Sequence, residues 1–271
     1  MIKKLYPRGR SKAFVVTYDD GVLQDRLFVA LLNRYGLKGT FNLNSGLMES
    51  EFEWTHENGS VIKRLSTQSA ASLYQDHEIA SHSLTHPYME YLSEEALMAE
   101  LQIDKANLER LFGREIKGFA VPFDYYSQRI EHCARKCGFA YVRLPKESRS
   151  FLPPEDTFNW MAGIFHLDGG LTDFVDAFLS ASDELAFCQI AGHSYDLDTE
   201  NMWDTMEDIF RKISADREVL PMTTIELIEY LRAMRKAEIT NRRIQNNSDI
   251  SLWFQADGRI CEIEPGQGID L

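Results

Sequence analysis

Cysteine is scarce, with four residues (Cys133, Cys137, Cys188 and Cys261) at irregular spacing. A disulfide-built fold is therefore not expected. Cys133 and Cys137 have no second pair nearby, so they read as small buried side chains rather than half of a thiolate metal site. Basic residues are also short: 29 Lys and Arg face 42 Asp and Glu, for a formal net charge of −13. Phosphate backbones and anionic lipid surfaces both demand the opposite balance, so neither nucleic acid nor a membrane is an expected partner. No apolar run approaches the roughly 20 residues that span a bilayer. The stretch from Met1 to Lys12 carries basic residues but lacks the apolar core of a signal peptide, and a soluble cytoplasmic protein is the expectation. Internal repeats and low-complexity segments are missing as well.

What the chain does have is apolar content. At 271 residues and 44% hydrophobic, it can bury a substantial core in one large α/β domain, with or without a small appendage. Ala13 to Tyr18 reads as a strand, and Leu27, Leu31 and Tyr35 then recur at helical spacing up to a cap at Gly36. Strands are expected at 39–43, 77–81, 116–121, 139–142 and 185–191. Ser93 opens a helix carrying Leu97, Leu101, Leu108 and Phe112, stopped by Gly113. Two more helices are expected near Trp203 to Ile213 and Ile225 to Met234. Alternation of this kind implies a parallel sheet, open or closed into a barrel. The tail differs. Beyond a polar, basic stretch, Ile250 to Gln255 and Arg259 to Glu264 flank the turn pair Asp257-Gly258, which predicts a hairpin. Too short to fold alone, it reads as an appendage (239–271) on a main domain (1–238), covering that domain or a neighbouring subunit. A homo-oligomer is thus left open.

In parallel α/β folds, functional side chains gather beyond the C-terminal ends of strands. That rule selects Asp19-Asp20, His82, Phe123, Arg143 and His193. Adjacent aspartates before a glycine are by themselves an ordinary turn. His82 and His86 are spaced i, i+4, which on a helical turn places both imidazoles on one side. Two imidazoles and one carboxylate form a three-ligand set with room for water, and a second carboxylate can accept that water's proton.

Thr17-Tyr18-Asp19-Asp20-Gly21 resembles the T-F-D-D-G motif of the polysaccharide deacetylases, the NodB-homology domain of carbohydrate esterase family four. His77-Glu78-Ile79-Ala80-Ser81-His82-Ser83-Leu84-Thr85-His86-Pro87 resembles that family's H-E-I-x-x-H-[ST]-x-x-H-P. The resemblance runs from about Ala13 to about Tyr230. It implies a distorted (β/α) barrel and one divalent metal ion held by Asp20, His82 and His86. Zn2+ suits that ligand set, and Ni2+, Co2+ or Fe2+ would also fit. It further implies Asp19 as general base, His193 as general acid, and a backbone N–H at Phe123 for the oxyanion. Trp160, Tyr125 and Tyr195 become candidate substrate contacts, and an N-acetylated carbohydrate or other N-acetylated small molecule becomes the expected substrate.

Three positions depart from the pattern. The family's R-x-P-Y appears as Ala120-Val121-Pro122-Phe123, without the arginine that pairs with the base. The aspartate before tryptophan appears as Asn159-Trp160. The leucine of the acetyl pocket appears as Ala191. Arg143, from the neighbouring strand, is a candidate for the missing arginine and equally reads as a solvated loop residue. Three functions stay open: a deacetylase acting on a sugar, hydrolysis of a non-sugar amide on the same scaffold, and a non-catalytic glycan binder using Trp54, Trp160, Phe123, Tyr125 and Tyr126.

Overall fold

The computed structural model describes residues 2–48 and 53–271; Met1, where the stretch read for a leader begins, lies outside them. In chain order the elements are β1 (Ile2–Leu5), β2 (Lys12–Asp19), α1 (Asp25–Arg34), β3 (Gly39–Leu43), β4 (Glu53–Thr55), β5 (Val61–Lys63), α2 (Thr67–Leu73) and β6 (Glu78–Ser81). Next come α3 (Glu94–Phe112), β7 (Gly118–Ala120), α4 (Gln128–Lys136), β8 (Tyr141–Glu147), β9 (Trp160–Ala162), β10 (Ile164–Phe165), α5 (Leu171–Ser180) and β11 (Ala186–Gly192). The chain continues through α6 (Ser194–Thr199), α7 (Trp203–Ala215), β12 (Val219–Pro221), α8 (Thr224–Met234), β13 (Glu238–Ile239), β14 (Arg243–Gln245), β15 (Leu252–Ala256), β16 (Arg259–Ile263) and β17 (Gly268–Asp270).

The central sheet has the order β10-β11-β2-β3-β6-β7-β8-β9, with β12 added beside β2, and its pairings are parallel. One short segment turns it into a nearly closed, distorted barrel. Residues 160–162 pair with β8 and residues 164–165 with β11, so the chain crosses the gap at Gly163. The Gly163 N–H donates to the Gln189 carbonyl at 2.9 Å. A Cβ there would stand 3.0 Å from that same oxygen, which is why glycine suits the crossing.

Side chains of β2 alternate between two cores, as a strand buried on both faces must. Phe14, Val16 and Tyr18 meet Phe28 of α1 and Phe210 of α7 outside the ring. Ala13 and Val15 meet Tyr141, Trp160 and Phe187 inside it. The interior is closed at the N-terminal end of the strands by α8, through Leu227, Ile228 and Leu231. A capping box starts α8, the Thr223 hydroxyl accepting from the Glu226 N–H while the Glu226 carboxylate accepts from the Thr223 N–H. Helix α3 follows its expected pattern, from the Ser93 cap to Gly113 at φ +65°. Helix α1 does not. Its buried face is Asp25, Phe28, Val29 and Leu32, while Leu27 is exposed. The rotation follows from Asp25, which is buried and hydrogen-bonded by the hydroxyls of Tyr74 and Ser194.

The expected tail hairpin is present as β15 and β16, and it gains a third strand: β1 runs antiparallel to β15, Leu5 opposite Trp253. Leu252, Phe254 and Ile263 join the interior cluster beside Tyr6 and Tyr230. Residues 252–263 thus seal the closed end of the barrel together with the first strand. All four cysteines are free thiols. No helix among the described residues is long and apolar enough to cross a membrane.

Candidate active site

At the opposite end of the barrel the strands deliver charged groups to one pocket of about 250 Å3. Asp19 is the last residue of β2 and lies opposite Asn42 of β3. Asn42 Nδ2 donates to Asp19 Oδ1 at 2.7 Å, which fixes one carboxylate oxygen. The other, Oδ2, accepts from Arg143 Nη2. Arg143 is the register partner of Ala120, the position where the family carries its arginine. The methyl side chain of Ala120 leaves the space, and a guanidinium from the adjacent strand fills it. Arg143 is 2% exposed and belongs to β8 rather than to a loop beyond it. A solvated loop arginine is therefore ruled out.

Asp20 follows with φ +85° and Gly21 with φ +63°. These two left-handed residues turn the second carboxylate into the pocket, and a Cβ on Gly21 would stand 2.8 Å from Leu43. His82 follows β6 directly. Its Nδ1 lies 2.8 Å from the Ala120 carbonyl oxygen, which can only accept, so Nδ1 carries the proton and Nε2 is left bare. The expected helical turn between His82 and His86 does not form. Ser83 at φ +68° and His86 at φ +55° fold the segment back as a loop, the Ser83 hydroxyl accepting from the His86 N–H at 3.2 Å. The imidazoles still converge, with ring centroids 4.8 Å apart. Non-glycine residues at positive φ are sparse, and Asp20, Ser83, His86 and Phe123 gather four of them around one pocket.

One donor atom each from Asp20, His82 and His86 lies within 4.8 Å of the others. The chemistry of the three suits a divalent cation. Asp20 Oδ1 is buried without a hydrogen bond, 3.7 Å from His86 Nε2 and 3.0 Å from Arg64 Nη1. Burial pushes both histidines below their ordinary range, which keeps the rings neutral as ligands must be. Burial alone would raise Asp20, but Arg64 first, then His193, His86 and His82, outweigh it and hold the carboxyl below its usual value.

His193 follows β11. Its Nδ1 is 3.0 Å from Asp196 Oδ2, and its Nε2 faces Asp20 Oδ2 at 4.0 Å. Burial lowers its proton affinity, but the Asp196 hydrogen bond and the charges of Asp20, Asp19 and Asp196 overcome this and raise it to about 9. Tyr195 stacks on the His193 ring, 5.0 Å between centroids, and meets Trp54 edge-on. Phe123, at φ +54°, packs edge-on against His86 and stacks on Tyr88 at 3.9 Å. Val121, Pro145 and Phe165 supply the apolar wall.

Among the three expected substrate contacts, only Tyr195 lines the pocket. Tyr125 is 41% exposed on the loop beyond Phe123. Trp160 is a correction. It is fully buried inside the barrel, its indole N–H donating to Gln189 Oε1 at 2.6 Å, so no substrate reaches it. Asn159 beside it is exposed, and the aspartate that holds His193 is Asp196 instead. Sequence reading passed over Asn42, Arg64, His166 and Asp196. Only Asp196 carried a signal, being three residues from His193 at the start of a helix.

Solved structures of carbohydrate esterase family 4 share this architecture. A search of curated proteins finds no significant sequence match. The CE4 domain of a multidomain xylanase from the hindgut metagenome of Trinervitermes trinervoides superposes with a TM-score of 0.56 at 18% identity, over 82% of this chain and 92% of that one. A family 4 acetyl xylan esterase from Clostridium thermocellum, in complex with a cobalt ion, gives 0.51 at 15% identity, over 80% and 90%. A deacetylase from Streptococcus pyogenes, in complex with acetate, aligns over 48% of this chain and 55% of its own length, with a TM-score of 0.43 at 21% identity. The family model described as polysaccharide deacetylase matches residues 7–142, half of the chain, from the bottom of the barrel through both aspartates, both histidines and into β8. The chain belongs to the polysaccharide deacetylase family.

Proposed function

We propose that this chain is a metal-dependent hydrolase that removes the N-acetyl group from an amino sugar or its oligomer. The observation that carries the proposal is the convergence of Asp19, Asp20, His82, His86 and His193 on one small pocket with an apolar wall. A divalent cation held by Asp20, His82 and His86, zinc being the best match to two imidazoles and a carboxylate, would acidify a water and polarise the acetyl carbonyl.

The chain's own groups do the rest. Asp19 accepts the proton of the attacking water, its two oxygens fixed by Asn42 and Arg143. Phe123 offers its backbone N–H to the developing oxyanion. His193, held by Asp196 and with its proton affinity raised by the carboxylates around it, gives a proton to the departing nitrogen, without which an amine is a poor leaving group. The C–N bond breaks, and acetate and a free amine leave. The acetyl methyl packs against Val121, Pro145 and Phe165, which stand in for the leucine replaced by Ala191. Because Arg143 pairs with the base, the missing family arginine gives no ground for preferring a different amide or a non-catalytic role.

The test is elemental analysis of protein purified without chelator, followed by acetate release from a panel of N-acetylated sugars and oligomers. About one cation per chain and turnover on at least one sugar are expected. Unchanged metal content after His82→Ala with His86→Ala would refute the ligand set. Metal-loaded protein that releases acetate from non-sugar amides alone would refute the substrate class, and one silent on every amide would refute the activity.

A further inference from the structure

Behind the pocket lies a buried chain of polar groups that the reaction itself does not touch. Tyr18 stands where the family motif has phenylalanine, and its added hydroxyl is buried 2.7 Å from His166 Nδ1. His166, 1% exposed, turns its Nε2 to Asp196 Oδ2 at 3.1 Å. That same oxygen takes His193 Nδ1 at 3.0 Å. A carboxylate can only accept, so both histidines donate to it. With Nε2 donating, His166 Nδ1 is the acceptor, and the Tyr18 hydroxyl is the donor that satisfies it. One neutral tautomer of His166 pairs all three groups, and the other would set a lone pair against a carboxylate.

The backbone makes room for this arrangement. A Cβ on Gly192 would stand 2.4 Å from the His166 ring, so only glycine lets the imidazole lie flat against β11. The His166 N–H anchors the residue to the Ala191 carbonyl at 2.9 Å. Burial keeps His166 below its ordinary range despite the neighbouring Asp196, in line with a neutral ring. Burial would raise Asp196, yet the hydrogen bonds from His166 and then His193 hold it well below the usual carboxylate range.

We infer that His166, with its tautomer set by the Tyr18 hydroxyl, is a positioning residue for the general acid: it fixes the Asp196 carboxylate that orients His193 toward the leaving group. The inference rests on the proposed role of His193. His166 itself lies behind Asp196 and does not line the pocket.

The test compares an N-acetylated sugar with an acetyl ester of a nitrophenol. The phenolate leaves without a proton, so an acid matters for the amide and little for the ester. His166→Phe should lower kcat on the amide about 10- to 100-fold, with KM and metal content little changed and the ester rate within about threefold. His166→Gln, whose amide N–H reaches about where Nε2–H lies, should recover most of the loss. Tyr18→Phe, which restores the family's own residue and so should fold, should cost several-fold on the amide alone. A readout independent of turnover is the ring 15N spectrum, in which wild-type His166 should show a protonated Nε2 and a bare Nδ1, and Tyr18→Phe should move Nδ1. Equal losses on both substrates, or a protonated Nδ1, would overturn the inference. If His193→Ala shows no amide-selective loss, the acid assignment itself has failed, while the ring spectrum still reports on His166.

Discussion

The barrel buries two kinds of carboxylate, and their partners, rather than the end at which they lie, set them apart. At the pocket end, Asp19, Asp20 and Asp196 meet Arg143, Arg64 and a pair of histidines. At the closed end, Glu78 meets the Thr40 and Tyr141 hydroxyls and the Ile225 N–H, none of them charged. Burial therefore wins at Glu78 and lifts its pKa to about 7. Asp104, beside His82 at the pocket end but bonded to the Ser81 hydroxyl and the Ser45 N–H, is raised to about 7 for the same reason. A buried acid with a cationic partner is built to carry charge, and one with neutral donors is built to hold its proton. The difference separates the carboxylates proposed for the chemistry from those that staple the fold.

The largest effect should come from the pocket end. Asp19→Asn should keep the cation and lower acetate release about 10²- to 10⁴-fold, because only the proton acceptor is lost. An active Asp19→Asn enzyme would remove the catalytic half of the contrast. Arg143→Met should cost roughly 10- to 100-fold in kcat with metal content unchanged, since a charge-assisted bond to Asp19 disappears. A sharper version adds Ala120→Arg to Arg143→Met. The two positions face each other in register, so the second change should return part of the rate by supplying the guanidinium from β7.

At the closed end the readout is stability. The Glu78 pKa is raised in the fold, from an ordinary 4.5 to about 7. Its contribution is therefore complete below about pH 4.5 and is lost as pH rises through 7. Glu78→Gln keeps the shape, with the amide oxygen accepting from Ile225 and Thr40 and the amide N–H₂ donating to Tyr141. Thermal melts should show a shallower loss from pH 5 to 8, with a gain of about 2–3 kcal/mol at pH 8. An unchanged slope would mean that Glu78 is not the proton holder. The smallest effect is expected for Trp160→Phe, which leaves Gln189 Oε1 without its donor. It should lower stability by about 1–2 kcal/mol and leave KM unchanged. A large rise in KM would return Trp160 to the substrate.

Much of the site was legible because the proposed base and the candidate metal ligands sit in two contiguous runs, Asp19-Asp20 and His82 to His86, where spacing alone carries meaning. The barrel was legible from strand–helix alternation. Arg143 could be named because Ala120 left a visible gap in a known pattern, but its partner depended on strand register. Asn42, Arg64 and His166 reach the site from separate elements, and no local pattern announces a contact made across a sheet. Trp160 misled because an aromatic in a chain resembling carbohydrate-active enzymes invites a sugar-stacking role. Its own alternation argued otherwise: Phe158, Trp160 and Ala162 are buried and Asn159 is exposed, as on a strand facing a core. The short strands β1, β9 and β10 were missed because two to four residues give periodicity nothing to work on.

The pairing of β1 with β15 has a consequence for how the molecule is made. Leu5 cannot meet Trp253 until the roughly 250 residues between them have been made. The two family motifs precede β15 by well over a hundred residues, so the floor beneath them is completed after they are made. Tyr6, Tyr230 and Phe254 share one buried cluster that cannot form before β15 is in place. Contacts so distant along the chain form slowly, so the base of the barrel, far from the pocket, is expected to close late in folding.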